Sequence, residues 1–378
     1  MTAIPYIIVC IVLFYLYLNE NGTFHVFSEK KAQNIAFILL LVFIGLRGHI
    51  YSDFIQYYRF FEQLPNLFEL DIYFFSDWYF EPGYVLYSSI LKTILPNYFA
   101  WVFVNTLIDL LIFRHVFKEY TSSQILPFIF FIAFNGLFVE FNLYRNVKSI
   151  ELFLLSIPFL KQRKFLPYML INLLGMSFHS TSIVYLPLYF VLDRELPAKV
   201  RWAGIIVANL IYLGQVHIIS DLINSLGAFQ SLAAFDKLAG HADKSDSSYG
   251  LSFGHIERTA SILIFTVLYD RLCADRQTNR IFYNCFWLYY ITFLCFYEVT
   301  VLTERIPILF VFGYWILYAN TAVLNYKFRQ IVYAFAMLLV TAKVFMSNNI
   351  PPAKYDNVLF GIESYETRRA VYESFADK

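Results

Sequence analysis

Apolar runs long enough to cross the roughly 30 Å hydrocarbon core of a bilayer recur along this chain almost from one end to the other. They fall near residues 3–19, 33–46, 98–114, 124–141, 145–160, 165–192, 202–220, 257–273, 281–299, 305–320 and 329–346. In hydrocarbon each backbone N–H and C=O must be satisfied without water, and a helix does so within its own segment. The expected fold is therefore all-α, a polytopic integral membrane protein. Composition agrees: 59% of the residues are hydrophobic and 15% charged, and no polar stretch is long enough for a soluble domain. A single membrane domain is expected over residues 1–346, followed by a polar C-terminal tail at 347–378. A net charge of +1 gives nucleic acid no electrostatic hold, so no nucleic-acid partner is expected. The run from Ile4 to Leu18 has neither a basic leader nor a small-residue cleavage site, and reads as the first membrane helix rather than a signal sequence. Cys10, Cys273, Cys285 and Cys295 have the spacing of neither a metal site nor a disulfide framework.

Orientation follows from the basic residues of short connections. Lys30-Lys31, Arg114 with Lys118, Lys161 to Lys164, Arg194 to Arg201 and Arg271 to Arg280 mark the cytoplasmic side. The outer loops are then about 47–78 and 221–256, with both termini outside. The stretch 79–95 is interrupted by Pro82 and Gly83 and closed by Pro96. It reads either as a full span or as a re-entrant half-helix, and parity favours the second because 79–114 must cross once. About 12 transmembrane helices result, within a range of 11 to 13. The run 165–192 is too long for one span and carries Phe178-His179-Ser180-Thr181-Ser182 at its middle, so two short helices are expected to meet at His179. The segment 221–257 is expected to form a helix on the membrane surface followed by a lid-like loop. The two halves differ in helix spacing and charge placement, unlike the repeats of a transporter.

Under this topology Arg47, Asp53, Glu81, Arg145, His179 and Arg305 fall at helix ends or breaks on the outer face. Each has a bland reading. An arginine at a helix end snorkels to the interface; Glu81 is favoured at a helix start by the dipole alone; Asp53 pairs with Arg47; His179 is a hydrogen-bonded packing residue. Against these stands their convergence on one level. Arg145 is the strongest member, because Lys148 and Ser149 extend its polar stripe at helical spacing. A cation near the bilayer centre costs about 2.5–3.5 kcal/mol on insertion scales, so the stripe asks for a water-filled cavity, an anionic ligand, or a counter-ion such as Glu140 or Glu151. His179 titrates near neutral pH when unperturbed, which suits a base. Tyr57, Tyr58, Trp78, Tyr79 and Tyr84 are placed either to stack on sugars or to form an interfacial aromatic belt.

There is no Gly-rich phosphate loop, no His-Glu-x-x-His pair, no zinc-spaced cysteine pair and no Asp-x-Asp, which argues against nucleotide-dependent chemistry. The remaining landmarks are Gly45-Leu46-Arg47 with Ser52-Asp53 and Tyr57; Phe80-Glu81-Pro82-Gly83-Tyr84; Tyr144-Arg145-Asn146; Phe178 to Ser182; and a late Arg305. In this order, over roughly residues 40–310, the chain resembles the EpsG-type, Wzy-like polymerases of bacterial surface polysaccharides. It departs from the pattern at Ser52, where threonine is common, and at Asn146, where glutamine is.

The resemblance implies a GT-C-like glycosyltransferase architecture and a metal-independent, cofactor-free polymerase in the bacterial inner membrane, working at the periplasmic face. It implies undecaprenyl-diphosphate-linked glycans as donor and acceptor, with membrane lipid and a chain-length regulator protein as further partners. The acceptor hydroxyl attacks the anomeric carbon and the lipid diphosphate leaves. Arginine forks suit diphosphate oxygens, which makes Arg145 and Arg305, then Arg47, the candidate cations, with Lys148 and Tyr57 as further substrate contacts. Asp53, Glu81 and His179 are candidate bases: His179 leads on pKa, Asp53 on its place in the family pattern. Two rivals remain from other classes, a transporter of lipid-linked glycan and a membrane acyltransferase.

Overall fold

The computed structural model describes residues 2–72, 74–77, 80–217, 251–324 and 327–376. The structure is all-helical, and among the described residues there is no β-strand, only isolated bridges of Arg47 with Asn357 and of Asn357 with Gly361. The chain divides into two compact units. The first comprises Met1–Tyr189, Tyr318–Val323 and Lys327–Lys378; the second comprises Phe190–Leu317 and Leu324–Tyr326. The surface helix and lid-like loop expected over 221–257 lie largely outside the described residues, as do Trp78 and Tyr79.

In the first unit, helices α1 (Ile4–Glu20) and α2 (Glu29–Gly45) form an antiparallel pair. Then come α3 (Phe54–Gln63), α4 (Phe74–Asp77), α5 (Pro82–Ile94), α6 (Tyr98–Tyr120), α7 (Leu126–Ala133) and α8 (Gly136–Asn142). The next pair is α9 (Tyr144–Lys161) with α10 (Phe165–Phe178), followed by a 3₁₀ turn (Ser180–Val184) and α11 (Tyr185–Leu188). One end of this unit gathers the polar elements. Asn142, closing α8, accepts from the backbone of Ser52 at 3.3 Å and Asp53 at 3.4 Å. Tyr98, opening α6, packs on His49 and Tyr58. Thr2 donates to Asn348 O and Tyr6 to Ala353 O, which brings both chain termini to this end too.

α5 starts and finishes at that same end. Gly83 abuts Ser177, and Tyr98, four residues after the end of α5, packs on His49.

The long apolar run 165–192 is two helical segments meeting at His179, whose extended backbone (φ −153°, ψ 115°) breaks the helix. The run 124–141 is likewise split, because Asn135 takes a left-handed conformation (φ 59°) that stops α7 after 8 residues.

The second unit contains α12 (Ala198–Leu213), α13 (Phe253–Val267), α14 (Tyr269–Asp275), α15 (Asn279–Cys295) and α16 (Thr300–Arg305). The Ser252 hydroxyl caps α13 by accepting from His255 N at 3.1 Å. Tyr290 on α15 ties α12 and α13 together, accepting from Asn209 at 2.6 Å and meeting Thr259 at 3.0 Å. α17 (Phe312–Val323) runs from the second unit into residues of the first; α18 (Arg329–Asn348) and α19 (Tyr365–Ala376) belong to the first.

Several helices expose apolar faces while some polar side chains are buried. On α1, Ile4, Ile8, Ile11 and Tyr15 are exposed at helical spacing while Tyr6 and Leu13 are buried; α10 exposes Leu166, Leu170 and Leu173, and α12 exposes Ile206, Leu210 and Leu213. Each such side chain forgoes about 1.5–3 kcal/mol if its surroundings are water and forgoes nothing in lipid. By length and apolarity two helices among the described residues suffice to cross a membrane, α6 and α18; the pair Leu302–Phe310 and Phe312–Val323, bent by 41°, makes a third if taken as one span.

Candidate functional site

Glu81, Arg145 and His179 arrive from three separate segments and meet. The α9/α10 hairpin explains two of them. Arg145 opens an 18-residue helix and His179 closes the 14-residue helix that packs antiparallel to it, so the return path brings His179 back to the level of Arg145. Asn172 locks the register by donating to Ser156 at 3.0 Å. Glu81 is supplied by α5, which starts at Pro82, the position where a missing N–H costs nothing. A Cβ on Gly83 would stand 2.2 Å from Ser177 Oγ and 2.8 Å from Ser177 O, so only glycine lets α5 approach α10 this closely.

The geometry is compact. Arg145 Nη1 donates to Glu81 Oε2 at 2.5 Å, and its guanidinium lies 4.4 Å from the Phe80 ring centre. Glu81 Oε1 accepts from Ser180 N at 2.8 Å and Ser180 Oγ at 3.0 Å, and lies 3.2 Å from His179 Nδ1. Burial raises the Glu81 pKa, but His179, Arg145 and the Ser180 N–H more than offset it and hold the carboxyl at about 2. Glu81 is thus an ionised pivot between a guanidinium and an imidazole. With Nδ1 turned to Glu81, Nε2 of the buried His179 has no hydrogen-bond partner among the described residues.

One turn along α9 from Arg145, Lys148 makes a short ion pair with Asp109 of α6 and reaches Asn105 O at 3.4 Å. The counter-ions expected for this stripe were Glu140 or Glu151. Instead Arg145 takes Glu81 and Lys148 takes Asp109, because α6 packs along α9 and offers its carboxylate at the right height. Asp109 went unread in the sequence, although an intramembrane lysine demands a partner and should have prompted a search for one. Glu140 accepts from Thr106 at 2.9 Å, and Glu151 is fully buried in the same layer.

Arg47 is 2% exposed. It donates to Ile44 O, Thr106 Oγ1, Glu140 O and the Tyr144 hydroxyl at 2.8–3.0 Å, so its partner is not Asp53. Asp53 instead precedes α3, accepts from Ser52 Oγ at 2.9 Å and sits within electrostatic reach of the Tyr57 hydroxyl, which also feels Arg145. Tyr57 is buried among Phe80, Tyr84 and Tyr144, and Tyr58 stacks on Tyr365 at 4.7 Å. These rings take one another as partners and wall the site. Arg305 ends α16 in the second unit and is exposed.

The C-terminal residues, read from sequence only as a polar tail, pack on the loop that follows α2. Arg368 is buried and donates to His49 O at 2.7 Å, Pro352 O at 2.9 Å and Lys354 O at 3.0 Å. Gly48 N donates to Asp356 O at 3.2 Å, and a Cβ on Gly48 would strike the Asp356 carboxylate. Nothing in a local reading signals this contact, since its partners lie some 300 residues apart. Among the described residues no cluster of three or more His, Cys, Asp or Glu is placed to hold a metal ion.

A protein-family model described as the EpsG family matches residues 32–359. Comparisons with curated proteins and with solved structures find no match.

Proposed function

The chain belongs to the EpsG family, and from that premise we propose that it is a polysaccharide polymerase, a membrane glycosyltransferase joining undecaprenyl-diphosphate-linked repeat units at the periplasmic face of the inner membrane. The observation that carries this reading is the meeting of Glu81, Arg145 and His179 at one end of the first unit. The family and the outward-facing apolar helices make it a membrane protein. We take it to be multi-pass, with about 12 crossings in a GT-C-like arrangement, α5 as the re-entrant element, and a chain-length regulator among its partners.

In the reaction proposed, the acceptor hydroxyl oxygen bonds to the anomeric carbon of the donor while the bond from that carbon to the diphosphate oxygen breaks. The hydroxyl proton passes to His179 Nε2, the nitrogen turned away from Glu81. Glu81 orients the imidazole and stabilises its protonated form, the role a carboxylate plays behind any histidine base. Arg145 has donors left beyond the one given to Glu81, and these balance the charge that develops on the departing diphosphate. Diphosphate leaves readily, so fixed positive charge suffices and the mechanism asks for no metal. Lys148 and Arg47 act from behind: they fix α9 and the outer loop and keep the field positive. Tyr57 and Asp53 support Arg145 from α3.

The test uses the full-length protein reconstituted in vesicles with lipid-linked repeat units. A polymerase converts them to longer glycans on the lipid; a transporter moves them and leaves every covalent bond intact. Unchanged single repeats in an inserted, folded sample would sink the reading. Arg305→Ala in the same assay decides whether that residue shares the leaving-group role.

A further inference from the structure

The second unit holds a cavity of about 270 Å³ that the proposed reaction does not use, lined by Glu195, Tyr269, Asp270, Cys273, Gln277 and Arg280. It opens beside the basic connections that sequence reasoning assigns to the cytoplasmic side. Arg201 of α12 stands behind it, 6% exposed, its guanidinium 3.6 Å from the Tyr269 ring centre. Its nearest carboxylate, Asp270, is 4.0 Å away and almost wholly in solvent. Nε and Nη1 of Arg201 have no hydrogen-bond partner among the described residues. Arg280 gives Nη2 to Asp193 at 2.9 Å and leaves its own Nε unpartnered. Both guanidinium groups act on the Cys273 thiol, so the cavity lies in their joint field.

A buried donor left unpaired costs about 1–3 kcal/mol, and more on a charged group. Water satisfies the N–H groups but leaves the charge; a phosphate does both, taking a guanidinium fork through two oxygens. A bare anion meets a second difficulty, the exposed carboxylates of Glu195 and Asp270 at the rim. A ligand carrying a primary ammonium next to its phosphate turns that repulsion into attraction. The volume equals about nine liquid waters at about 30 Å³ each, which admits a headgroup.

We propose that this cavity binds a zwitterionic phosphoethanolamine group, its phosphate on Arg280 in the field of Arg201 behind Tyr269, and its ammonium on Glu195 and Asp270. The group arrives either on a lipid of the adjoining leaflet or as a free phosphoester. The site is independent of the polymerase reading.

Cys273 reports on occupancy because it lines the cavity, and Cys295, also part-exposed, serves as the internal reference. The full-length protein is labelled with N-ethylmaleimide and followed by peptide mass spectrometry in nanodiscs of phosphatidylethanolamine or phosphatidylcholine, and in detergent with or without O-phosphoethanolamine. Labelling of Cys273 slows by about threefold when the ligand stands at twice its dissociation constant, since only the empty third of the sites reacts. Protection in phosphatidylethanolamine but not in phosphatidylcholine, whose quaternary amine donates no hydrogen bond, is the expected result. Protection by free O-phosphoethanolamine as well identifies a soluble ligand; protection by the lipid alone identifies the bilayer. Arg280→Gln removes the protection, and Glu195→Gln, at an exposed position, weakens it. Equal labelling in both lipids with none slowed by O-phosphoethanolamine, equal slowing at Cys295, or full protection surviving in both variants overturns the proposal.

Discussion

Arg145 shares its guanidinium between the Glu81 carboxylate and the face of Phe80, which holds it in one place without using all its donors. Alanine at this position is expected to lower the rate of chain extension by about 10²–10³-fold, the usual worth of one preorganised donor at a charged transition state. Lysine should restore little, because a single ammonium cannot fork. His179→Gln should cost about 10²–10⁴-fold as a lost base, with the lipid-linked donor still bound; Glu81→Gln should lose less, since the imidazole remains. A His179→Gln enzyme that extends glycans at the normal rate would remove His179 from the mechanism. Behind the site the Lys148–Asp109 pair is buried, so Lys148→Met strands a carboxylate and is expected to destabilise the protein by about 3–5 kcal/mol. Thermal unfolding in detergent checks this, with the double change Lys148→Met and Asp109→Leu recovering most of the loss.

Among the elements, α5 depends on a contact that no side chain tolerates. At Gly83 the obstacle is a backbone carbonyl as well as the Ser177 hydroxyl, so Gly83→Ala must push α5 off α10 and carry Glu81 away from His179. A displacement of about 1 Å at a reacting centre costs about 10²-fold, and that is the loss expected in polymer ladders from an inserted, normally expressed variant; a wild-type ladder would show that α5 does not need this register. The break at His179 after α10 was legible beforehand, because a polar string in the middle of an overlong apolar run leaves the chain little choice but to turn there. The breaks in 124–141 and 305–320 were not. The first rests on the left-handed Asn135, and the second on a 41° bend that hydropathy does not register.

Across the whole molecule the loop after α2 is held by the far end of the chain, and that contact is pH-sensitive. Burial, helped by Arg368, pulls the His49 pKa down to about 4, while an unfolded histidine titrates at about 6.5. The neutral ring is favoured in the docked state. This contribution is complete above pH 6.5 or so and is lost as the pH falls towards 4, up to about 3 kcal/mol for a shift of this size. Glu363 works in the same direction: its hydrogen bond from Lys354, with Arg368, holds its pKa below the ordinary carboxylate range, so its share goes in acid as well. Hydrogen-exchange protection factors over residues 351–376, corrected for the intrinsic pH dependence of exchange, should therefore fall between pH 7.5 and 5, and His49→Phe should flatten that dependence; protection factors indifferent to pH would refute the linkage. The sequence by itself determined the solvent of this protein and its helical class, because in lipid a segment can satisfy its backbone only as a helix and apolar length is a local property. It also picked out Glu81, Arg145 and His179, since an ionisable residue at an apolar boundary stands out wherever the chain goes. Only the tertiary structure decided which of these charges pair, that Arg47 is caged, that Asp109 answers Lys148, and that Arg368 clasps the loop at His49. Those choices depend on distances between residues far apart in the chain, and a charge carries no record of its partner until packing brings the two within a few ångströms.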